Sequence, residues 1–168
     1  MEPQALKNVK IGKKLLIALV ILSIGASCLD CVQGIAVTLN GLNGLPSEVT
    51  YTRNNFSLFA VALAAVQIFL IWKNRFGLQM IPAVVNSANM ILMPFVLELQ
   101  NKLSDLIVYI QAPTGESAVR QWELTPWGYI YVALGWLLLA SSALVAWYLP
   151  KQKAILTENP EERDEGIR

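Results

Sequence analysis

Histidine is absent from the 168-residue chain, which also contains only two cysteines and 15% charged residues. Without histidine, the chain lacks the commonest metal ligand and the usual general base. Two cysteines cannot form a disulfide framework. A formal net charge of +1 excludes a nucleic-acid binder that depends on charge. We therefore expect no bound metal, no cofactor, no nucleic-acid partner and no typical soluble enzyme domain.

Apolar residues are abundant instead, at 55% of the chain, and the mean hydropathy is +0.48. They form four blocks, at residues 15–39, 56–72, 78–99 and 128–149. A helix of about 20 apolar residues spans the hydrocarbon core of a bilayer. The pattern predicts an all-α polytopic membrane protein, a bundle of four transmembrane helices. We expect Pro150 to end the fourth helix, because proline interrupts helices.

The basic residues predict an orientation for the four spans. Because cytoplasmic loops carry an excess of lysine and arginine, both termini are expected in the cytoplasm of a bacterial or a eukaryotic cell. Residues 1–14 then form a basic cytoplasmic segment, 15–149 the membrane domain and 150–168 a charged cytoplasmic tail. The residues on the expected cytoplasmic side are Lys7, Lys10, Lys13, Lys14, Lys73, Arg75, Lys151, Lys153, Arg163 and Arg168.

The longest outer connection begins with a helical pattern. Leu99, Leu103, Leu106, Ile107 and Ile110 recur at helical spacing and form one apolar stripe. This predicts an amphipathic extension of the third span that lies on the membrane surface or caps the bundle.

Four polar residues are expected near the middle of the predicted spans: Asp30, Gln67, Asn86 and Asn89. Polar groups in hydrocarbon are costly, so they face a bundle interior or a cavity. Two interpretations remain open. The four side chains either form hydrogen bonds between helices, or they form a binding site for a ligand or an ion. No basic residue lies inside a predicted span, so Asp30 is expected either to be protonated or to bind a cation.

Cys28 and Cys31 form a Cys-x-x-Cys pair within the first predicted span. Two thiols at this spacing can form a strained disulfide or undergo thiol redox chemistry. Cysteine is also an ordinary small apolar residue of membrane helices. The second cysteine pair that would relay electrons is absent from the sequence.

The third block reads Pro82-Ala83-Val84-Val85-Asn86-Ser87, with a second proline at Pro94. Together with Gln67 and Asp30, it resembles the four-span family of sterol isomerases. That family has an acid in its second span, where this chain has no carboxylate. The resemblance implies a four-span fold and a ligand of the sterol type, while the missing carboxylate argues against isomerase activity.

Three function classes fit the sequence. The first is a non-catalytic accessory or assembly subunit of a larger membrane complex, with other membrane subunits or a second copy as partners. The second is a small transporter, channel or lipid-binding bundle, which takes a small apolar or cationic ligand at the midplane polar residues. The third is an enzyme, either a membrane thiol redox protein or an isomerase. The absence of a catalytic constellation favours the first.

Overall fold

A computed structural model describes residues 4–39, 46–111 and 119–158. This part of the chain is mostly helical, as predicted, but it also contains a small antiparallel sheet, so the all-α class is wrong in that respect. In chain order the elements are α1 (Gln4–Ser27), β1 (Val32–Leu39), β2 (Pro46–Arg53), α2 (Leu58–Trp72), α3 (Met80–Ile91), α4 (Met93–Gln111), β3 (Val119–Leu124) and α5 (Pro126–Glu158).

The first apolar block does not form one helix. α1 ends at Ser27, and the remaining apolar residues form strand β1. The expectation of a single helical span over 15–39 is therefore wrong. The β-branched residues Val32, Ile35, Val37 and Thr38 favour a strand, and Gly34 weakens any helix that contains it. The block was long enough to span a bilayer, but its second half has the composition of a strand.

The sheet has the strand order β2-β1-β3, with both pairs antiparallel. Gly34 on the central strand lies opposite Trp122. A Cβ atom at position 34 would lie 2.6 Å from the Trp122 ring, so only glycine allows the ring to approach this closely. Asn101 of α4 covers the edge of β3, since its side chain exchanges two hydrogen bonds of 2.8 and 2.9 Å with the Trp122 backbone.

The third apolar block forms two helices joined by a 44° bend. The break lies at Leu92, two residues before Pro94. Proline has no N–H, and its ring clashes with the carbonyl four residues earlier, here that of Met90. α4 then continues to Gln111, which agrees with a helical extension of this block.

α5 begins with Thr125 as its N-cap and Pro126 as its first residue. The Thr125 hydroxyl accepts a 3.2 Å hydrogen bond from the Gly128 N–H, a common way to satisfy a free helix N-terminus. The helix then continues through Pro150 to Glu158, so the prediction that Pro150 ends it is wrong. Leu149, 2% exposed, packs beside Gly12 of α1, and this contact holds the helical turn that contains the proline.

Two hydrophobic clusters divide the molecule into two ends. At the basic end, α1, the turn between α2 and α3 and the last turns of α5 meet, and Val9, Phe76 and Leu149 share one cluster. At the sheet end, Cys31, Val32, Met93, Leu97 and Tyr131 belong to a second cluster. The lysines of α1, Lys73 just after α2 and Lys151 of α5 lie at the basic end, as the sequence pattern of charge predicts.

In the described part of the chain, one helix segment is long and apolar enough to cross a membrane, Pro126–Lys151. Only 28% of its most apolar stretch is buried, so it is no ordinary core helix. A second crossing exists if Met80–Ile91 and Met93–Leu103 together form one bent span. Leu58–Trp72 is apolar but shorter. The predicted four-span bundle is therefore not confirmed, although one helix has the length and composition of a membrane span.

Candidate functional site

The most enclosed polar group of the bundle consists of Gln67, Gln79 and Ser142, each with 0% exposure. We call it the basic-end layer. The Gln67 amide nitrogen donates to the Gln79 amide oxygen at 3.1 Å and to the Ser142 hydroxyl at 3.2 Å. The Gln79 nitrogen donates to the backbone carbonyl of Ser142 at 3.0 Å. The layer therefore ties α2, the start of α3 and α5 together by side-chain hydrogen bonds.

One acceptor in this layer, the Gln67 amide oxygen, has no partner. Ala64 and Ile71, which lie about one helical turn before and after Gln67 on the same face of α2, are also fully buried. Hydrogen bonds between membrane helices contribute roughly 0.6–2 kcal/mol each. The basic-end layer therefore joins helices, and it leaves no open face on Gln67 for a ligand.

A second polar group lies nearer the sheet and is looser. We call Asn55, Asn86, Asn89 and Tyr131 the sheet-end layer. The Asn55 nitrogen donates to the Tyr131 hydroxyl at 3.2 Å, and the Asn86 nitrogen contacts the Ala60 carbonyl at 3.5 Å, the longest of these bonds. Asn89 is exposed. A cavity beside Asn86, Asn89 and Tyr131 has about 10 Å³ of space for water centres, which is room for one water molecule.

A larger cavity of about 120 Å³ lies between the sheet and α4. We call it the sheet-end cavity. Its polar lining consists of Arg53, Asn54, Asn55, Asn89 and Gln100. Val32, Met93 and Leu97 form an apolar floor. Arginine and amide side chains in such a setting donate hydrogen bonds to an anionic or carbonyl oxygen, so the cavity suits a small polar molecule better than a cation.

The structure does not bring the four predicted site residues together. Asn86 and Asn89 line the same small cavity, whereas Gln67 belongs to the basic-end layer. Asp30 is exposed in the segment that follows α1, and its backbone carbonyl accepts a 2.5 Å hydrogen bond from Thr125. The expectation that Asp30 lies in the interior of a span is wrong, because α1 ends three residues before it. A binding role for the four residues stays a prediction.

The two cysteines lie at the same break in the chain, both as free thiols. Cys28 is exposed, whereas Cys31 is fully buried in the sheet-end cluster. The Cys31 thiol donates a 3.4 Å hydrogen bond to the Ala26 carbonyl. Burial raises the pKa of Cys31, and the nearby charge of Asp30 acts in the same direction. The predicted position of the pair within a helix is wrong, and a low-pKa redox thiol is the opposite of what Cys31 presents.

The sequence analysis did not identify Gln79, the hydrogen-bond partner of the predicted site residue Gln67. It lies just before α3 begins, at the edge of an apolar block, where a glutamine looks like an interface residue. Its partner Gln67 lies twelve residues earlier in the chain, before a tight turn. No local sequence pattern predicts their contact. Within the described ranges, no three cysteine or acidic residues come together to hold a metal ion.

Comparison with known proteins adds no relative to this picture. No protein-family model matches the chain, and no curated protein is similar enough to count as a relative. The resemblance to sterol isomerases therefore rests on the few residues quoted above. The structure places two of them, Gln67 and Asn86, in different polar layers.

Proposed function

We propose that the protein is a small integral membrane protein that acts as a non-catalytic accessory or assembly subunit of a larger membrane complex. The observation that carries this proposal is how apolar and polar side chains are divided between the surface and the interior of the protein. Apolar side chains cover the outside of the helices, while the buried amide nitrogens of Gln67 and Gln79 donate hydrogen bonds within the bundle. Such a molecule can pack against other apolar surfaces, but it presents few polar groups that could bind a substrate.

Large apolar side chains are exposed on every helix. Soluble monomers rarely expose contiguous apolar patches larger than a few hundred Å², so this surface indicates contact with lipid or with other membrane helices. Representative residues with exposures of 53–66% are Ile21 on α1, Phe69 on α2, Phe95 on α4 and Trp136 on α5.

Helix length favours partner helices over lipid alone. α2 has 15 residues and is therefore about 22 Å long, whereas the hydrocarbon core of a bilayer is about 30 Å thick. Short spans are accommodated by thinning the bilayer or by packing against other helices. A complex that surrounds α2 with longer helices would relieve the mismatch.

The interior supports neither transport nor catalysis. Among the residues whose burial the structure describes, no aspartate, glutamate, lysine or arginine is buried, although proton and ion paths through membranes depend on such groups. The polar cavity between the helices has room for only a single water molecule. In this proposal the basic end faces the cytoplasm, both termini lie there and the sheet faces the opposite side.

A second candidate function is the binding of a small polar molecule in the sheet-end cavity. Arg53 and four amide side chains line this cavity, and the described part of the chain supplies no acidic side chain to its lining. This candidate places the ligand at the outer surface of the bundle. Of the four midplane residues predicted from the sequence, only Asn89 takes part.

Purification of the tagged protein from native membranes in a mild detergent, followed by native mass spectrometry, tests the proposal. We expect resistance to carbonate extraction and a fixed set of protein partners. Four single alanine variants, at Ile21, Phe69, Phe95 and Trp136, should identify the helix that contacts the partner by a reduced recovery. Leu138→Ala is the matched control, because Leu138 is fully buried and its loss should lower stability first. A monodisperse protein without partners would contradict the subunit function.

A further inference from the structure

A groove of about 520 Å³ opens at the basic end of the molecule. We call it the basic groove. Asn74, Arg75, Phe76, Gly77 and Leu78 form one wall, from the turn between α2 and α3, and Pro150 and Ala154 of α5 form the other. This volume lies within the range of about 300–1,000 Å³ that is typical of ligand pockets. The only charged side chain in its described lining is Arg75, so the groove is suited to an anion.

The wall that carries Arg75 is fixed by backbone hydrogen bonds. Asn74 has a φ of 57°, the left-handed conformation that asparagine tolerates at the end of a helix. The Asn74 N–H donates to the Ile71 carbonyl at 3.1 Å, and the Arg75 N–H donates to the Leu70 carbonyl at 2.9 Å. This pair of bonds is a Schellman motif. The base of Arg75 is therefore held in place before any ligand arrives.

Two further cations, each next in the chain to a lining residue of the groove, lie over aromatic rings. The Lys151 ammonium lies 3.9 Å from the centre of the Trp147 ring, and the Lys73 ammonium lies 5.2 Å from that of Trp72. Trp72 and Trp147 are 68% and 64% exposed. Exposed tryptophans beside lysines are typical of the boundary between lipid tails and headgroups. The groove therefore opens at headgroup depth if this end faces a membrane surface.

We infer that the basic groove binds the phosphodiester of an anionic phospholipid, with Arg75 as the principal donor. Arginine forms two parallel hydrogen bonds to a phosphate group, and basic pockets at the cytoplasmic ends of membrane helices suit lipid headgroups. Exposed Leu78 and Ile81 continue from the groove along the bundle and would contact the acyl chains. The inference rests on the proposed membrane function, since it needs the basic end at a bilayer surface.

Thermal unfolding of the purified protein in detergent micelles tests this inference. Phosphatidylglycerol should raise the unfolding temperature more than phosphatidylcholine does, and the difference should shrink in high salt. Arg75→Gln should weaken the response to phosphatidylglycerol about five-fold, the effect of roughly one basic residue at an anionic surface. Lys102→Gln is the matched control, because it removes one exposed positive charge from α4 beside Asn101 at the sheet end, and it should leave the response unchanged.

A second variant keeps the test decisive if Arg75→Gln disturbs the turn. A Cβ atom at Gly77 would have no neighbour within 4 Å, so Gly77→Glu can place a negative charge in the groove without a clash. We expect it to abolish the preference for phosphatidylglycerol, while Gly77→Ala retains it. Equal stabilisation by the two lipids would overturn the inference. So would an unchanged preference in both Arg75→Gln and Gly77→Glu.

Inorganic phosphate separates the lipid from a free anion. It should not reproduce the stabilisation, because it supplies no acyl chains for Leu78 and Ile81. An equal effect of inorganic phosphate would replace the lipid site by a free-anion site. Carbonate extraction and partner recovery are measured in parallel. If these succeed while lipid selectivity is absent, only the groove inference fails. If the protein is extracted by carbonate, the proposed membrane function itself fails.

Discussion

The basic-end and sheet-end halves of the bundle use amide side chains in opposite ways. In the basic-end layer, Gln67 and Gln79 are fully buried and donate to groups within the same layer. In the sheet-end layer, Asn89 is exposed and Asn86 makes one long contact. A sealed amide network fixes the relative positions of helices, whereas an open one leaves donors and acceptors for water or for a ligand.

The difference between the two layers indicates where a binding function should be sought. Residues of one chemical type, in neighbouring apolar blocks, look equivalent in the sequence. Their surroundings separate them, because three helices converge on Gln67 while the sheet holds a cavity open beside Asn89.

Gly128→Ala should give the largest effect and should disrupt the sheet end. A Cβ atom at position 128 would lie 2.2 Å from the backbone carbonyl oxygen of Cys31, so the start of α5 and the start of β1 must move apart. Overpacking of this kind costs about 1–3 kcal/mol. Thermal unfolding in detergent should show a lower midpoint. Gly25→Ala is the control, because its Cβ atom meets nothing within 4 Å, and an equal loss there would refute the steric explanation.

Gln79→Leu should damage the basic-end layer by about 1–2 kcal/mol, because the Gln67 amide nitrogen loses one of its two acceptors and the Ser142 carbonyl loses its donor. The unfolding midpoint of the variant measures the loss. The double variant with Gln67→Leu should lose less than the sum of the two single variants, since it removes both unsatisfied amides. Gln121→Leu, at an exposed position on β3, should have little effect. Strict additivity would argue against a shared network.

Thiol labelling should separate Cys28 from Cys31. Below the pKa of a thiol, each unit by which burial raises that pKa lowers the thiolate fraction about ten-fold. Cys31 should therefore react slowly with a maleimide at neutral pH and accelerate as the pH rises towards its raised pKa. The single variants Cys28→Ser and Cys31→Ser isolate each thiol for mass spectrometry. Equal rates for the two thiols in the folded protein would contradict the burial of Cys31.

Asn89→Ala should give the smallest change, within about 0.5 kcal/mol, as is usual for exposed positions. Asn86→Ala should cost slightly more, because Asn86 is 6% exposed and contacts the Ala60 carbonyl. The unfolding midpoints of the two variants, measured side by side, provide the comparison. A larger loss at Asn89 than at Asn86 would show that the sheet-end layer is as closed as the basic-end layer.

The helices were largely predictable from the sequence, because long apolar blocks bounded by charges and prolines leave few alternatives. α2 begins and ends within two residues of its predicted block. The sheet was not predictable from block length, since β1 continues the apolar run of α1 after a break at Asp30. Pairing with β2 and with the distant β3 stabilises that strand, and such partners have no local signature.

The candidate site was less predictable than the fold. The residue types were informative, since Gln67 and Asn86 are both buried. The predicted position of Asp30 near the middle of a span was wrong, because it assumed that α1 continues beyond Ser27. Gln79 was missed because it precedes α3 and its side chain bonds to Gln67 of the preceding helix, a contact that the position of Gln79 in the sequence does not indicate. Convergence of side chains depends on turns, and the turn at Asn74 is known only from the structure.

The length of α5 separates two opposite charges at the basic end. The apolar part of the helix ends near Lys151, and the helix continues to Glu158, a rise of about 10 Å. This exceeds the screening length of about 8 Å at physiological ionic strength. The acidic residues of the tail begin only at Glu158. The proline-containing end of α5 thus acts as a spacer, which carries the Glu158 backbone more than one screening length beyond the apolar part of the helix.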